Sequence, residues 1–101
     1  MSFALKTTFS KGGPMVFISH LDNLRLFQRA ARRAALPLAF TKGFNPHPRI
    51  KILRALKLGL PCESLEAVFH LESKIPAEKF MDAMNLQLPQ GIRIESADEY
   101  Q

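Results

Sequence analysis

The apolar residues of this chain change period twice, from two to 3.6 and back, and that double change most limits what it can fold into. Phe3, Leu5, Thr7 and Phe9 alternate, which predicts a first strand over Phe3–Ser10 with those four on one face. Lys11-Gly12-Gly13-Pro14 interrupts it. Met15–Ile18 then resumes a short extended run, so the two glycines read as a bulge or kink within one long strand. Ser19-His20-Leu21-Asp22 has the form of a helix start: the Ser19 hydroxyl is placed to accept a backbone amide, and Asp22 suits the positive end of the helix dipole. At about 100° per residue, Leu24, Phe27, Ala31, Ala34 and Ala35 share one side, and Arg25, Arg29, Arg32 and Arg33 fall on the opposite arc. Pro37 predicts an end near Leu36, because a residue before proline resists the helical region.

Beyond that helix, Leu38–Thr41 is a candidate short strand leading into Lys42-Gly43-Phe44-Asn45-Pro46-His47-Pro48-Arg49, a loop dense in turn formers. Ile50–Leu58 and Leu65–Leu71 are further strands. Ala77–Leu88 is a second helix, with Phe80, Met81, Met84 and Leu88 as its apolar side. Ile92–Glu95 closes the series after a Pro89-Gln90-Gly91 turn. The order β-α-β-β-α-β is that of the ferredoxin-like split βαβ arrangement, an α+β fold with one antiparallel sheet and both helices on one face. Residues 1–101 are expected to form a single domain, and 47% hydrophobic residues are enough to build its core.

A single cysteine, Cys62, excludes an intrachain disulfide and cysteine ligation of an iron–sulfur cluster. Three dispersed histidines do not complete a structural zinc site, so no metal and no cofactor are expected. No stretch approaches the ~20 apolar residues of a membrane span, and the opening Met1-Ser2-Phe3-Ala4-Leu5-Lys6 lacks the apolar run of a secretory signal. A cytoplasmic protein with no membrane partner is the expectation.

Charge is divided unevenly. Residues 1–57 hold 11 Lys or Arg and one acid, Asp22, for a net +10, whereas residues 58–101 carry a net −5. Such a half repels itself unless folding spreads the charge, the acidic half packs beside it, or an anionic partner neutralises it. The arginine arc, followed by Lys42, Arg49, Lys51, Arg54 and Lys57, resembles a footprint for phosphates, which arginine can grip in bidentate fashion. The bland alternative is a solvated helix face with Asp22 and Arg25 paired at i,i+3. In the proline-stiffened loop, Asn45, His47 and Arg49 are held at low entropic cost and join the candidate anion contacts. Phe44 is expected to plug the core, the alternative being to stack on a base. His20 points toward the core side of the helix by the wheel. Were the loop to fold over that helix end, His20 and His47 would suit general acid–base cleavage of RNA without a metal.

Two strings of the chain look familiar. Phe9-Ser10-Lys11-Gly12-Gly13-Pro14 with Phe17-Ile18-Ser19-His20-Leu21-Asp22, and Gly43-Phe44-Asn45-Pro46-His47-Pro48-Arg49-Ile50, resemble the radical SAM-linked family, a bacterial domain of unknown function. The helix from Leu26 to Ala34 and Leu36-Pro37-Leu38-Ala39-Phe40 continue the resemblance, and Leu58-Gly59-Leu60-Pro61 fits more loosely. Members are encoded beside, or fused to, a radical SAM protein, which implies an accessory or substrate-presenting role with such a partner. They usually run to about twice this length, which implies that the chain matches an N-terminal half or a short version. A fainter likeness, in element order, charge and Ser19-His20-Leu21-Asp22, is to CRISPR-associated RAMP endoribonucleases, some of which cleave RNA through histidine without a metal.

The first expectation is therefore a non-catalytic module that binds RNA, or another phosphate-bearing chain, for a radical SAM partner. A metal-free endoribonuclease using His20 and His47 is the alternative, and a protein-binding adaptor the third.

Overall fold

The computed structural model describes residues 3–53 and 62–100. Its elements are β1 (Phe3–Lys11), a short 3-10 helix (Gly13–Phe17), α1 (His20–Arg33), β2 (Ile50–Ile52), β3 (Cys62–Leu71), α2 (Ala77–Gln87) and β4 (Ile92–Glu99). Strand and helix order follow the sequence expectation. The expected strand Ile50–Leu58 is seen as β2 up to Ile52, Leu53 follows it as a bend, and the remainder of the segment, with Arg54 and Lys57, lies outside the described residues.

The four strands form one antiparallel sheet in the order β2-β3-β1-β4. Alternation in β1 puts Leu5, Thr7 and Phe9 on its buried side, opposite Phe69, Ala67 and Leu65 of β3. Phe9 meets Phe27 of α1 edge-on at 4.9 Å between ring centroids. Phe69 meets Phe27 at 5.4 Å and Phe80 of α2 at 5.1 Å. One ring of β3 thus touches both helices, so both lie on the same face of the sheet. Each such aromatic pair adds about 0.5–1.5 kcal/mol beyond the area it buries. The chain Phe9–Phe27–Phe69–Phe80 is the spine of the core.

The extended run expected at Met15–Ile18 is instead the 3-10 turn. Pro14 has no amide to donate to a sheet and fits the first turn of a helix. The turn is pinned from the far end of the chain, where the Gly12 amide donates to the Gly91 carbonyl at 2.8 Å. Gly91 has φ +104, and a Cβ there would come within 2.6 Å of the Gly12 carbonyl oxygen, so a side chain at 91 would push the turn away.

α1 ends at Arg33, short of the expected Leu36. Ala35 adopts φ +56, and the Leu36 amide reaches back to the Ala31 carbonyl at 3.1 Å, a left-handed helix stop normally built with glycine. The expected strand at Leu38–Thr41 is reduced to two isolated bridges, Leu38 to Leu71 and Phe40 to Pro48. β4 runs to Glu99, longer than expected, through a bulge opposite Thr8 and Phe9. Its outer edge is capped by Asn85 of α2, whose amide nitrogen donates to the Ile94 carbonyl at 2.9 Å while its oxygen accepts the Ile94 amide at 2.8 Å. Among the described residues, no helix is long and apolar enough to cross a membrane.

Candidate anion-binding cleft

α1 is presented to solvent by what it buries. Phe27, Ala30 and Ala31 face the sheet together with Asn23, whose buried side-chain amide makes no hydrogen bond among the described residues. That leaves Arg25, Arg29, Arg32 and Arg33 exposed on the far side. The expected cap is present, with the Asp22 amide donating to the Ser19 hydroxyl at 3.1 Å. The i,i+3 pair also forms, Arg25 Nη1 lying 3.8 Å from Asp22 Oδ1, but both side chains are 59% exposed and the pair is worth little in water. Among the described residues, Arg29, Arg32, Arg33, Lys42, Arg49 and Lys51 have no carboxylate within 4.0 Å. Among the described residues, no acid of residues 58–101 pairs with any of these six cations. Lys6–Glu66, at 3.0 Å, is the ion pair that joins the two halves among these residues.

The loop is closed at its base. Thr41 donates its amide to the His47 carbonyl at 2.8 Å, and the His47 amide donates to the Thr41 hydroxyl at 3.0 Å. Gly43, at φ +127, supplies the reversal in the five residues between them. Two backbone bonds lock this base to β3, Ala39 donating to His70 at 2.9 Å and His70 to Arg49 at 3.0 Å, and a third, Arg49 to Ala39 at 2.8 Å, ties its two flanks together. The stiffness expected from Pro46 and Pro48 thus acts against a fixed support.

Between α1 and this loop opens a cleft of about 660 Å³. Arg25 contributes from the helix, His47 and Arg49 from the loop, Lys51 from β2 and His70 from β3, over an apolar stretch made by Leu21 and Leu24. Among the described residues, no carboxylate lines it. The pKa of His70 is held below its ordinary value of 6.5, mainly because partial burial disfavours the charged ring and secondly because Arg49 repels it.

The candidates are therefore partly brought together. Arg25, His47, Arg49 and Lys51 share the cleft. Arg29 and Arg33 line a hollow of about 250 Å³ beside Leu26 and Pro89, and Arg29 also shares a hollow of about 360 Å³ with Arg25 and Asp22. Arg32, Lys42 and Asn45 are exposed outside all three linings, and Arg54 lies outside the described residues. His20, expected on the core side, is exposed. Asn23 and Phe27, at similar azimuths further along, are buried. The difference lies along the axis, because the whole first turn, Ser19 to Asp22, overhangs the core. Phe44 corrects a second expectation: it does not plug the core but stands 104% exposed, since the closed loop carries it away from the sheet. His70 was missed, because a polar residue inside an alternating strand signals an outer face and nothing more. Among the described residues no cluster of His, Cys, Asp or Glu is arranged to hold a metal ion.

A mixed α+β domain with a cleft lined by cationic side chains is the class that fold and site define. The chain belongs to the family described as an uncharacterized protein conserved in bacteria (DUF2344), which it matches over residues 5–101. No curated protein matches it. The family description names no radical SAM protein.

Proposed function

We propose that this domain is a non-catalytic RNA-binding module of ferredoxin-like topology whose cleft seats the phosphate backbone. The topology is supported by the strand order: α1 joins β1 to β2 with β3 between them, and α2 joins β3 to β4 with β1 between them. The observation that carries the function is the cleft lining, in which Arg25, Arg49 and Lys51 converge with no acid among the described lining residues. Arg29, Arg32, Arg33, Lys42 and Asn45 extend the same basic surface around it. The accessory role beside a radical SAM protein rests on the sequence resemblance. Co-expression followed by affinity capture tests it separately, and the absence of a complex would remove that partner without touching the RNA reading.

The test is RNA binding by fluorescence anisotropy across a salt series. Affinity is expected to fall steeply with salt, and Arg25→Ala, Arg49→Ala and Lys51→Ala are each expected to reduce the log–log slope by about 0.7, the contribution of one phosphate contact on a single strand. Lys79→Ala, on α2, should leave the slope alone. Binding that is absent at low salt, or indifferent to salt, ends the proposal. The ribonuclease alternative is checked in the same material: cleavage of the bound RNA that His47→Ala or His20→Ala abolishes would make the module an enzyme.

A further inference from the structure

The structure points to Phe44 as a base-stacking residue, and hence to single-stranded rather than duplex RNA as what the cleft holds; this rests on the RNA reading above. A scattered exposed apolar side chain is ordinary on a protein surface. Phe44 differs in its setting. Its ring is fully exposed at the middle of a loop whose two ends, Thr41 and His47, are hydrogen-bonded to each other and both line the cleft. It lies three positions from either end, so its Cα stays within about 11 Å of the cleft wall. Lys42, two positions before it, and Asn45, next to it, are also exposed, and no described aromatic ring packs against it.

An exposed ring beside a groove of cations is the pairing that single-stranded nucleic acids require, with phosphates in the groove and bases on the ring. In a duplex the base faces are already stacked on one another and offer nothing to such a ring. Unpaired, splayed bases do. The closed loop base also lowers the cost of the contact, because the ring is presented by a segment already held in place. Phe44 therefore selects strandedness, while Arg25, Arg49 and Lys51 supply affinity for the backbone.

The experiment uses the whole chain, an adenine-rich oligoribonucleotide, and the same oligonucleotide annealed to its complement. The chain contains no tryptophan, so the indole introduced by Phe44→Trp reports on this position alone. Tighter binding of the single strand than of the duplex is expected, with emission quenched at saturation by the single strand. Phe44→Ala should weaken single-strand binding roughly 5- to 150-fold while leaving duplex binding and the salt slope unchanged. Unaltered single-strand affinity in Phe44→Ala, with unquenched emission in Phe44→Trp, overturns the stacking role; if binding remains salt-dependent, the RNA reading survives. Emission that shifts to the blue with anionic vesicles but not with RNA assigns the ring to a membrane surface and overturns it also. Loss of all RNA binding, in wild type and variants alike, sinks the RNA reading and this inference with it.

Discussion

Thr41 and His47 are hydrogen-bonded to each other twice, backbone to backbone at 2.8 Å and His47 amide to Thr41 hydroxyl at 3.0 Å, and this clasp makes the 41–47 segment a closed loop. Thr41→Val keeps the shape and the first bond but removes the second. In an exposed loop water replaces the lost acceptor, so global stability should fall by no more than about 1 kcal/mol in urea unfolding. The local effect should be larger. Faster amide exchange at His47 and a several-fold loss of RNA affinity are the expected outcomes, and unchanged exchange would show that the hydroxyl does not hold the loop.

At the end of α1, Ala35 occupies a left-handed conformation, φ +56, that costs an L-residue about 1–2 kcal/mol. Glycine adopts it without that cost but gives the unfolded chain more freedom to lose, worth about 0.5–1 kcal/mol. Ala35→Gly is therefore expected to stabilise the fold by up to about 1 kcal/mol, read as a higher urea midpoint at unchanged slope. A lower midpoint would mean that the methyl group contributes more by packing than its backbone costs.

His70 links the cleft to pH. Its folded pKa lies below the ordinary 6.5, so over the interval between the two values the unfolded chain binds more protons than the folded one. Stability from this group is complete above about pH 6.5 and declines as pH falls through the folded pKa. His70→Gln should flatten that part of a melting temperature against pH curve. An anion seated beside Arg49 removes the second cause of the depression. An NMR titration of the His70 ring should then show its pKa rising when RNA binds, and an unmoved pKa would place the anion elsewhere.

Local signals account for much of what was legible. Ser19 caps α1 as its sequence implies, Phe27 and Ala31 face the sheet, Phe80 and Met84 are buried on α2, and β1 alternates from Leu5 to Phe9. In each case one side chain and its neighbours within a turn or a pleat suffice. The misses share a different character. The 3-10 turn at Gly13–Phe17 depends on Gly91, 79 residues beyond Gly12, and Phe44 is displaced from the core by a bond between Thr41 and His47 that composition cannot register. Ala35 ends its helix in a conformation that alanine disfavours, so its local preference pointed the wrong way.

By itself, the amino-acid sequence determined the order of strands and helices, the cap of α1, the arginine arc and the asymmetry of charge, because period, capping chemistry and charge are carried by residues close together in the chain. Only the tertiary structure decided that Arg25 would share a cleft with Arg49, Lys51 and His70 while Arg29 and Arg33 stayed outside its lining. That choice rests on β2 pairing with β3 in the register Ile50 to Phe69, and on Phe27 of α1 seating against Phe69. Contacts between residues so far apart are set by the packing of the whole core, and no local preference encodes them.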